Sequence, residues 1–384
     1  MEQEKNNSTK NVTRGAFWAS IIFYGLIAFE FFYMFSPFAA YIYSIYGPGL
    51  DTLNLTGSTS WLISFFMPHI ARETQSVFIT WHEMIGMTLF LGGFAAFLIG
   101  AAQIYWSKLK NSGAVFGGIY NHIRHPQYLA LMISSFGMVL VWPRYLVLLG
   151  FVTVCFAYFF LARIEEGSCK QRFDGYGDYC SQTGMFFLPV IEQLFYKLPW
   201  PHKRWSRIIA SLGLYLCVLM MAFSAARAIH LYSVNNLYTY TTEKEVYLSL
   251  GQIDADEISE MVHIVKSDSS VAASLVEFQD PDQRFINYVM PASLFVSEVP
   301  MYIPEGQVPT HEWPSNKDQS RYKIIFSLAH FSPESQAKDL DILLRAINKT
   351  PVLEVWIDRS SQTIEKILNS TPDQYYEGMP VPVF

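Results

Sequence analysis

The chain has 384 residues, of which 51% are hydrophobic and 16% are charged. This length allows two domains of ordinary size. The 27 lysine and arginine residues are outnumbered by 33 aspartate and glutamate residues, which gives a net charge of −6. The balance argues against a nucleic-acid partner, because proteins that bind nucleic acid carry a basic surface.

Charge and apolar residues divide the chain near residue 230. Residues 231–384 hold 11 basic and 22 acidic residues, which leaves 16 of the 27 basic and 11 of the 33 acidic residues in the first part. The net charges are therefore +5 for residues 1–230 and −11 for residues 231–384. Because the long apolar runs also lie in the first part, we predict a helical membrane domain followed by a small, soluble, acidic α+β domain.

The apolar runs of the first part predict about five transmembrane helices. A bilayer core of about 30 Å requires roughly 20 apolar residues in a helix. The third and fourth runs are short and are separated by Pro143, which predicts a tight helical hairpin. The predicted spans are about 16–38, 77–105, 127–142, 145–162 and 208–229.

The distribution of lysine and arginine predicts the orientation in the membrane. These residues collect before the first span, between the second and third, and between the fourth and fifth. Cytoplasmic loops are enriched in them, so these segments are expected in the cytoplasm. The segment 39–76 has Arg72 as its only basic residue and is expected on the outer side. Five crossings then leave the soluble domain on the outer side as well.

The sequence of the soluble part predicts two β-α-β units, one over about 245–278 and one over about 322–364. Two such units would form a ferredoxin-like fold. Six prolines between residues 280 and 320 favour loops in that stretch. The predicted strands are 245–250, 271–278, 322–331 and 352–364, and the predicted helices are 254–266 and 332–347.

A group of polar residues stands directly before the third predicted span. The sequence there is Gly118-Ile-Tyr-Asn-His-Ile-Arg124-His125-Pro126-Gln-Tyr128. Pro126 suits the first turn of a helix, where its missing N–H costs nothing. The free N–H groups of that turn, next to Arg124 and His125, favour an anionic group such as a carboxylate. Gly118 allows the backbone to turn closely before the helix.

An acidic pair ends the fourth predicted span on the same side of the membrane, in the sequence Arg163-Ile-Glu165-Glu166. Adjacent helical residues point about 100° apart, so one of the two acids can face a cationic or hydroxyl-bearing ligand. A positive and a negative helix end with aromatic neighbours suit a zwitterionic amino-acid group, a ribose and a sulfonium.

This pattern resembles the isoprenylcysteine carboxyl methyltransferase and phospholipid methyltransferase superfamily. The shared features are G-x-Y-x-x-x-R-H-P-x-Y, a helical hairpin and the acid pair, and they cover about residues 77–190. Ala130 departs from the pattern, because the family often has glycine there. The resemblance implies a multi-pass membrane enzyme that transfers a methyl group from S-adenosylmethionine to a lipophilic or membrane-delivered carboxylate, amine or thiol.

The resemblance also implies roles for individual residues. Arg163 and Glu166 are expected to face the methyl acceptor. The residues expected to contact S-adenosylmethionine are Val115, Tyr120, Arg124, His125, Pro126, Gln127, Tyr128 and Glu165.

Two other functions compete with methyl transfer. An NADPH-dependent sterol-type reductase has a similar R-H-P-x-Y motif, although Gln127 and Ala130 stand where such reductases have other residues. A catalytically inactive membrane module that displays the soluble domain is the second alternative. The four cysteines show neither metal-ligand spacing nor a paired framework, so neither a disulfide nor a metal site is expected. The sequence leaves the oligomeric state open.

Overall fold

The described part of the chain forms two compact units. One consists of residues 1–44, 88–137 and 150–215, and the other of residues 45–87, 138–149 and 216–384. The division predicted at residue 230 separates membrane-spanning from soluble sequence, which is a different criterion from compactness. It stays a prediction. The computed structural model describes residues 25, 29, 32, 34–42, 59–110, 117–196, 201, 203–278, 280–311, 313–314, 320–331, 342–369 and 381–384.

Long apolar helices dominate the first two thirds of the chain. Among the described residues, three helices are long and apolar enough to cross a membrane: α1 (Val77–Leu109), α3 (Tyr145–Arg172) and α6 (Arg204–Asn235). This result supports the predicted integral membrane protein. The helices are α1 (Val77–Leu109), α2 (Pro126–Val141), α3 (Tyr145–Arg172), α4 (Tyr176–Gln182), α5 (Pro189–Tyr196) and α6 (Arg204–Asn235).

The prediction of five spans is matched only in part. Helices α1, α3 and α6 match the predicted second, fourth and fifth spans. The predicted first span, 16–38, lies mostly outside the described residues. Helix α2 has 16 residues, which at about 1.5 Å per residue gives roughly 24 Å, less than the bilayer core of about 30 Å. The predicted hairpin is confirmed, since α2 ends at Val141 and α3 begins at Tyr145.

A glycine allows α1 and α2 to pack closely. A Cβ atom on Gly93 would lie 2.7 Å from both the carbonyl oxygen of Ala130 and the backbone nitrogen of Ser134. The Ser134 hydroxyl donates to the Phe90 carbonyl over 2.9 Å at the same crossing. Small residues let membrane helices approach backbone to backbone, and a hydroxyl can then bond across the interface.

The soluble part contains a six-stranded sheet whose strands follow one another in chain order. Strands β2 and β3 are parallel, whereas the other neighbouring pairs are antiparallel. The strands are β1 (Thr239–Thr241), β2 (Glu245–Ser249), β3 (Phe285–Pro291), β4 (Arg321–Phe331), β5 (Ala346–Asp358) and β6 (Thr363–Asn369).

The sheet order differs from the predicted pair of β-α-β units. Only β2 and β3 form such a unit, since β4 and β5 are antiparallel. The strand predicted at 271–278 is wrong, because the chain there is helical: α7 (Ala255–Ser267) is followed by α8 (Ser269–Leu275). Asp268 caps α8 by accepting from the N–H groups of Ser270 and Val271. Most of the predicted helix 332–347 lies outside the described residues.

Hydrophobic side chains cover both faces of the sheet. On one face, Tyr247 and Val289 pack against apolar residues of α7 and α8 such as Met261. On the other face, Leu248 and Tyr288 pack against residues from other segments. This alternation along β2 and β3 is expected of strands buried on both faces.

The segment before α1 is built into this second core. Ile70 and Ala71 are buried in the cluster that contains Leu248 and Tyr288. The N–H group of Gln75 donates to the carbonyl of Asn236 over 2.9 Å. Residues 59–76 are therefore part of the same compact unit as the sheet.

The close crossing of α1 and α2 generates a stability prediction. Gly93→Ala is expected to lower the free energy of unfolding by about 1–3 kcal/mol, because the added methyl group overpacks the crossing. Gly92→Ala is the matched control, since a Cβ atom there would meet nothing within 4 Å. Thermal unfolding in detergent measures both variants. Equal melting temperatures for the two would contradict the close crossing.

Candidate active site

The start of α2 is held in place by backbone hydrogen bonds to the segment after α4. The N–H group of Arg124 donates to the Gly184 carbonyl over 2.8 Å, and that of His125 donates to the Met185 carbonyl over 3.1 Å. Pro126 is the first residue of α2, which confirms the predicted helix start. Gly118 has a φ of 69°, as expected for a close turn before this segment.

Arg124 forms a buried ion pair with Glu166. Its Nε atom lies 2.6 Å from Oε1 of Glu166, and both side chains are almost fully buried. The same guanidinium donates to the Cys180 carbonyl over 3.0 Å and to the Thr183 carbonyl. Arg124 therefore joins the ends of α3 and α4 to the start of α2.

His125 lies between the two acids that end α3. Its Nδ1 atom is 3.5 Å from Glu165 and its Nε2 atom is 3.6 Å from Glu166. Burial lowers the pKa of His125, but the two carboxylates outweigh it, and the pKa lies above the ordinary value of 6.5. In the described part of the chain neither ring nitrogen has a partner with hydrogen-bond geometry. A protonated imidazole here can donate to a ligand.

Stacked aromatic rings support Glu165. The Tyr128 hydroxyl donates to Oε1 of Glu165. The Tyr128 ring lies between His125, with a centroid distance of 5.5 Å and an interplanar angle of 6°, and Tyr158, at 4.9 Å and 23°. Offset stacks of this kind hold the rings rigidly. The Glu165 side chain is 35% exposed. One edge of its carboxylate is therefore held by Tyr128, and the carboxylate remains accessible to a ligand.

Tyr120 forms a second polar contact beside α2. Its hydroxyl donates to the Gln127 side-chain oxygen over 3.1 Å, and the Tyr179 hydroxyl donates to the Tyr120 carbonyl over 2.6 Å. Burial raises the pKa of Tyr120, so the phenol stays protonated. Tyr120 and Gln127 are both buried, which fixes their orientation.

The structure brings together most of the residues chosen from the sequence. Tyr120, Arg124, His125, Gln127, Tyr128, Glu165 and Glu166 lie in connected contacts at the ends of α2 and α3, and Pro126 begins α2. Arg163 is exposed one turn before Glu166. Val115 lies outside the described residues.

Sequence reasoning missed three supporting residues. Tyr158 stands seven positions before Glu165, two helical turns along one face of α3, and this spacing was available as a signal. Thr183 receives the Arg124 guanidinium at its carbonyl. Glu192 on α5 accepts from the N–H groups of Phe186 and Phe187 over 2.8 and 3.1 Å. These last two contacts depend on how the chain folds back and have no local pattern.

The buried ion pair generates a prediction about Glu166. Glu166→Ala leaves the Arg124 guanidinium buried without its carboxylate, so we expect a loss of about 3–5 kcal/mol in unfolding free energy. The double variant Arg124→Met with Glu166→Met is expected to recover most of that loss, since it removes both charges of the pair. Thermal and denaturant unfolding in detergent measure both.

Glu165→Gln is the control, because its carboxylate is partly exposed and its loss should change stability little. A Glu166→Ala protein with unchanged stability and no methyl transfer would instead place Glu166 at the acceptor, as the sequence resemblance implies.

Comparison with known proteins gives one family match. No curated protein and no solved structure matches the chain significantly. The family match favours methyl transfer over the reductase and over the inactive module. Residues 81–175 match the model of the phospholipid methyltransferase family, which belongs to the isoprenylcysteine carboxyl methyltransferase-like superfamily, and the resemblance inferred from the motif is confirmed over this segment.

Proposed function

We propose that the protein is a membrane enzyme that transfers a methyl group from S-adenosylmethionine to a lipophilic acceptor. The observation that carries this proposal is the joining of His125 and Glu165 within the segment that matches the family. A buried imidazole and a partly exposed carboxylate lie side by side there, which suits a ligand with both an acidic and a basic group.

The residues present fit such a cofactor. His125 is buried and the adjoining acids raise its pKa, which favours the protonated form that can donate to the carboxylate of an amino-acid group. Glu165 has an exposed edge that can accept from an ammonium or from ribose hydroxyls. Tyr128 holds Glu165 and stacks on His125, whereas Gln127 accepts from Tyr120, and we assign these residues to cofactor placement.

When bound, S-adenosylmethionine supplies a methyl group that its sulfonium already activates. The protein then has to orient the reactants and exclude water. The stack of His125, Tyr128 and Tyr158 gives a rigid wall for this purpose. An acceptor carboxylate or thiolate is already nucleophilic and needs no base from the chain.

We propose that the acceptor enters from the lipid phase. Helix α3 is apolar and carries Ile164 and Phe160 exposed on its surface close to Glu165. A lipid-like tail can lie along such a surface while its polar end reaches the site. The exposed Arg163 is suited to an anionic headgroup, and Glu166 acts as a positioning residue through Arg124 and His125.

We propose a cytoplasmic site and an outer C-terminal domain. Lysine and arginine surround the segments next to the site, whereas residues 59–76 hold a single basic residue, Arg72. Residues 59–76 belong to the same compact unit as the sheet, which is what a common location on the outer side requires.

Cofactor binding tests the proposed function. The purified protein is expected to bind S-adenosylmethionine and S-adenosylhomocysteine in calorimetry. Glu165→Gln should weaken binding by at least about tenfold, since it removes a charge-assisted hydrogen bond worth about 1.5–3 kcal/mol. Asp174→Asn is the control, because Asp174 is an exposed acid just after the end of α3. Tight NADPH binding with no binding of S-adenosylmethionine would refute methyl transfer.

Single-cysteine labelling tests the proposed orientation. With the four native cysteines replaced, Ser269→Cys on α8 should react with an impermeant thiol reagent in sealed, right-side-out membranes. Asn111→Cys, in the segment between α1 and α2, should react only after the membranes are opened. The reverse pattern would overturn the orientation and leave the cofactor assignment standing.

A further inference from the structure

A second group of charged residues lies in the unit that contains the sheet. His69 comes from the segment before α1, and Glu298 and His311 come from the stretch between β3 and β4. The side chains of His69 and Glu298 are almost fully buried, and that of His311 is 25% exposed. None of the three takes part in the proposed methyltransferase site.

The three side chains converge on one point. Nε2 of His311 lies 2.9 Å from Oε2 of Glu298, and Nε2 of His69 lies 3.8 Å from Oε1 of the same carboxylate. One ligand atom from each residue can be chosen so that all lie within 4.8 Å of one another. Zinc bonds of about 2.0–2.1 Å in a tetrahedron place neighbouring ligand atoms about 3.3 Å apart. The two distances to Glu298, 2.9 and 3.8 Å, lie on either side of that value.

A further acid fixes the orientation of His69. Nδ1 of His69 lies 2.7 Å from Oε1 of Glu83. The other oxygen of Glu83 pairs with Arg72. The contact with Glu83 leaves Nε2 of the same ring as the nitrogen that can bind a metal. A carboxylate on the opposite ring nitrogen is the usual support of a metal-binding histidine.

The distance between Nε2 of His69 and Oε1 of Glu298 suits two ligand atoms of one cation. At 3.8 Å it is too long for a hydrogen bond. The His69 ring also lies against the Trp142 ring, at a centroid distance of 4.4 Å. A divalent cation between His69 and Glu298 would bond to both.

We propose that His69, Glu298 and His311 bind a zinc ion, with Glu83 as the support for His69. Two imidazoles and a carboxylate suit zinc and leave a fourth position for water or an exogenous ligand. Because the ligands come from residues 69 and 298–311, the ion links the segment before α1 to the sheet domain. The site departs from the sequence-based expectation of no metal.

Metal titration of the full-length protein tests this proposal. The protein is purified in detergent, freed of any histidine tag, stripped with a chelator and titrated with zinc chloride in calorimetry. One equivalent of zinc per chain is expected. His311→Ala, which removes a partly exposed ligand, should weaken binding by more than about 100-fold, and Glu83→Gln by about 10–100-fold. His263→Ala is the matched control, since His263 is exposed on α7 outside the cluster.

A stability measurement keeps the test independent of any folding defect. Zinc at 100 times its dissociation constant should stabilise the native protein by about 2.7 kcal/mol, and it should have no effect on the His311→Ala protein. Elemental analysis of the protein before stripping gives the metal that it carries. Absence of zinc binding by the native protein, or equal binding by the native and His311→Ala proteins, would overturn the proposal. Cofactor binding at Glu165 is measured separately and does not enter this result.

Discussion

The candidate active site depends on one buried ion pair. Arg124 sits at the start of α2, Glu166 at the end of α3, and the guanidinium also reaches the carbonyl groups of Cys180 and Thr183. A buried charge without its partner costs several kcal/mol, so these segments are energetically tied to one another. The neighbouring acid, Glu165, takes no part in this pair and is partly exposed. Glu166 therefore stabilises the structure, whereas Glu165 is accessible to a ligand.

The sequence predicted the local features of the site and missed the distant ones. Pro126 and Gly118 carry their own backbone preferences, so the helix start and the turn followed directly from the residue types. The acid pair was recognised, but the partner of each acid depends on helix rotation and on the return of residues 180–185. Burial and pairing of this kind come from tertiary packing, which periodicity does not encode.

In the soluble part, too, the sequence predicted some local elements and missed features that depend on tertiary packing. Strand β2 was predicted because its residues alternate, whereas β3 was hidden by flanking prolines and is buried on both faces. The apolar residues of 271–278 favour a strand by their type, but Asp268 caps a helix that begins there. The cluster of His69, Glu298 and His311 has no local sequence pattern, because His69 lies more than 200 positions before the other two.

The burial of Ile70 and Ala71 in the core of the sheet has a consequence for biosynthesis. These residues are made early, whereas most of the strands that cover them follow residue 285. Contacts so distant in sequence form slowly, because a long loop must close before they gain any free energy. The early segment therefore stays uncovered until the strands from residue 285 onward have been made. A chain halted near residue 230 would expose that surface permanently and invite aggregation or degradation.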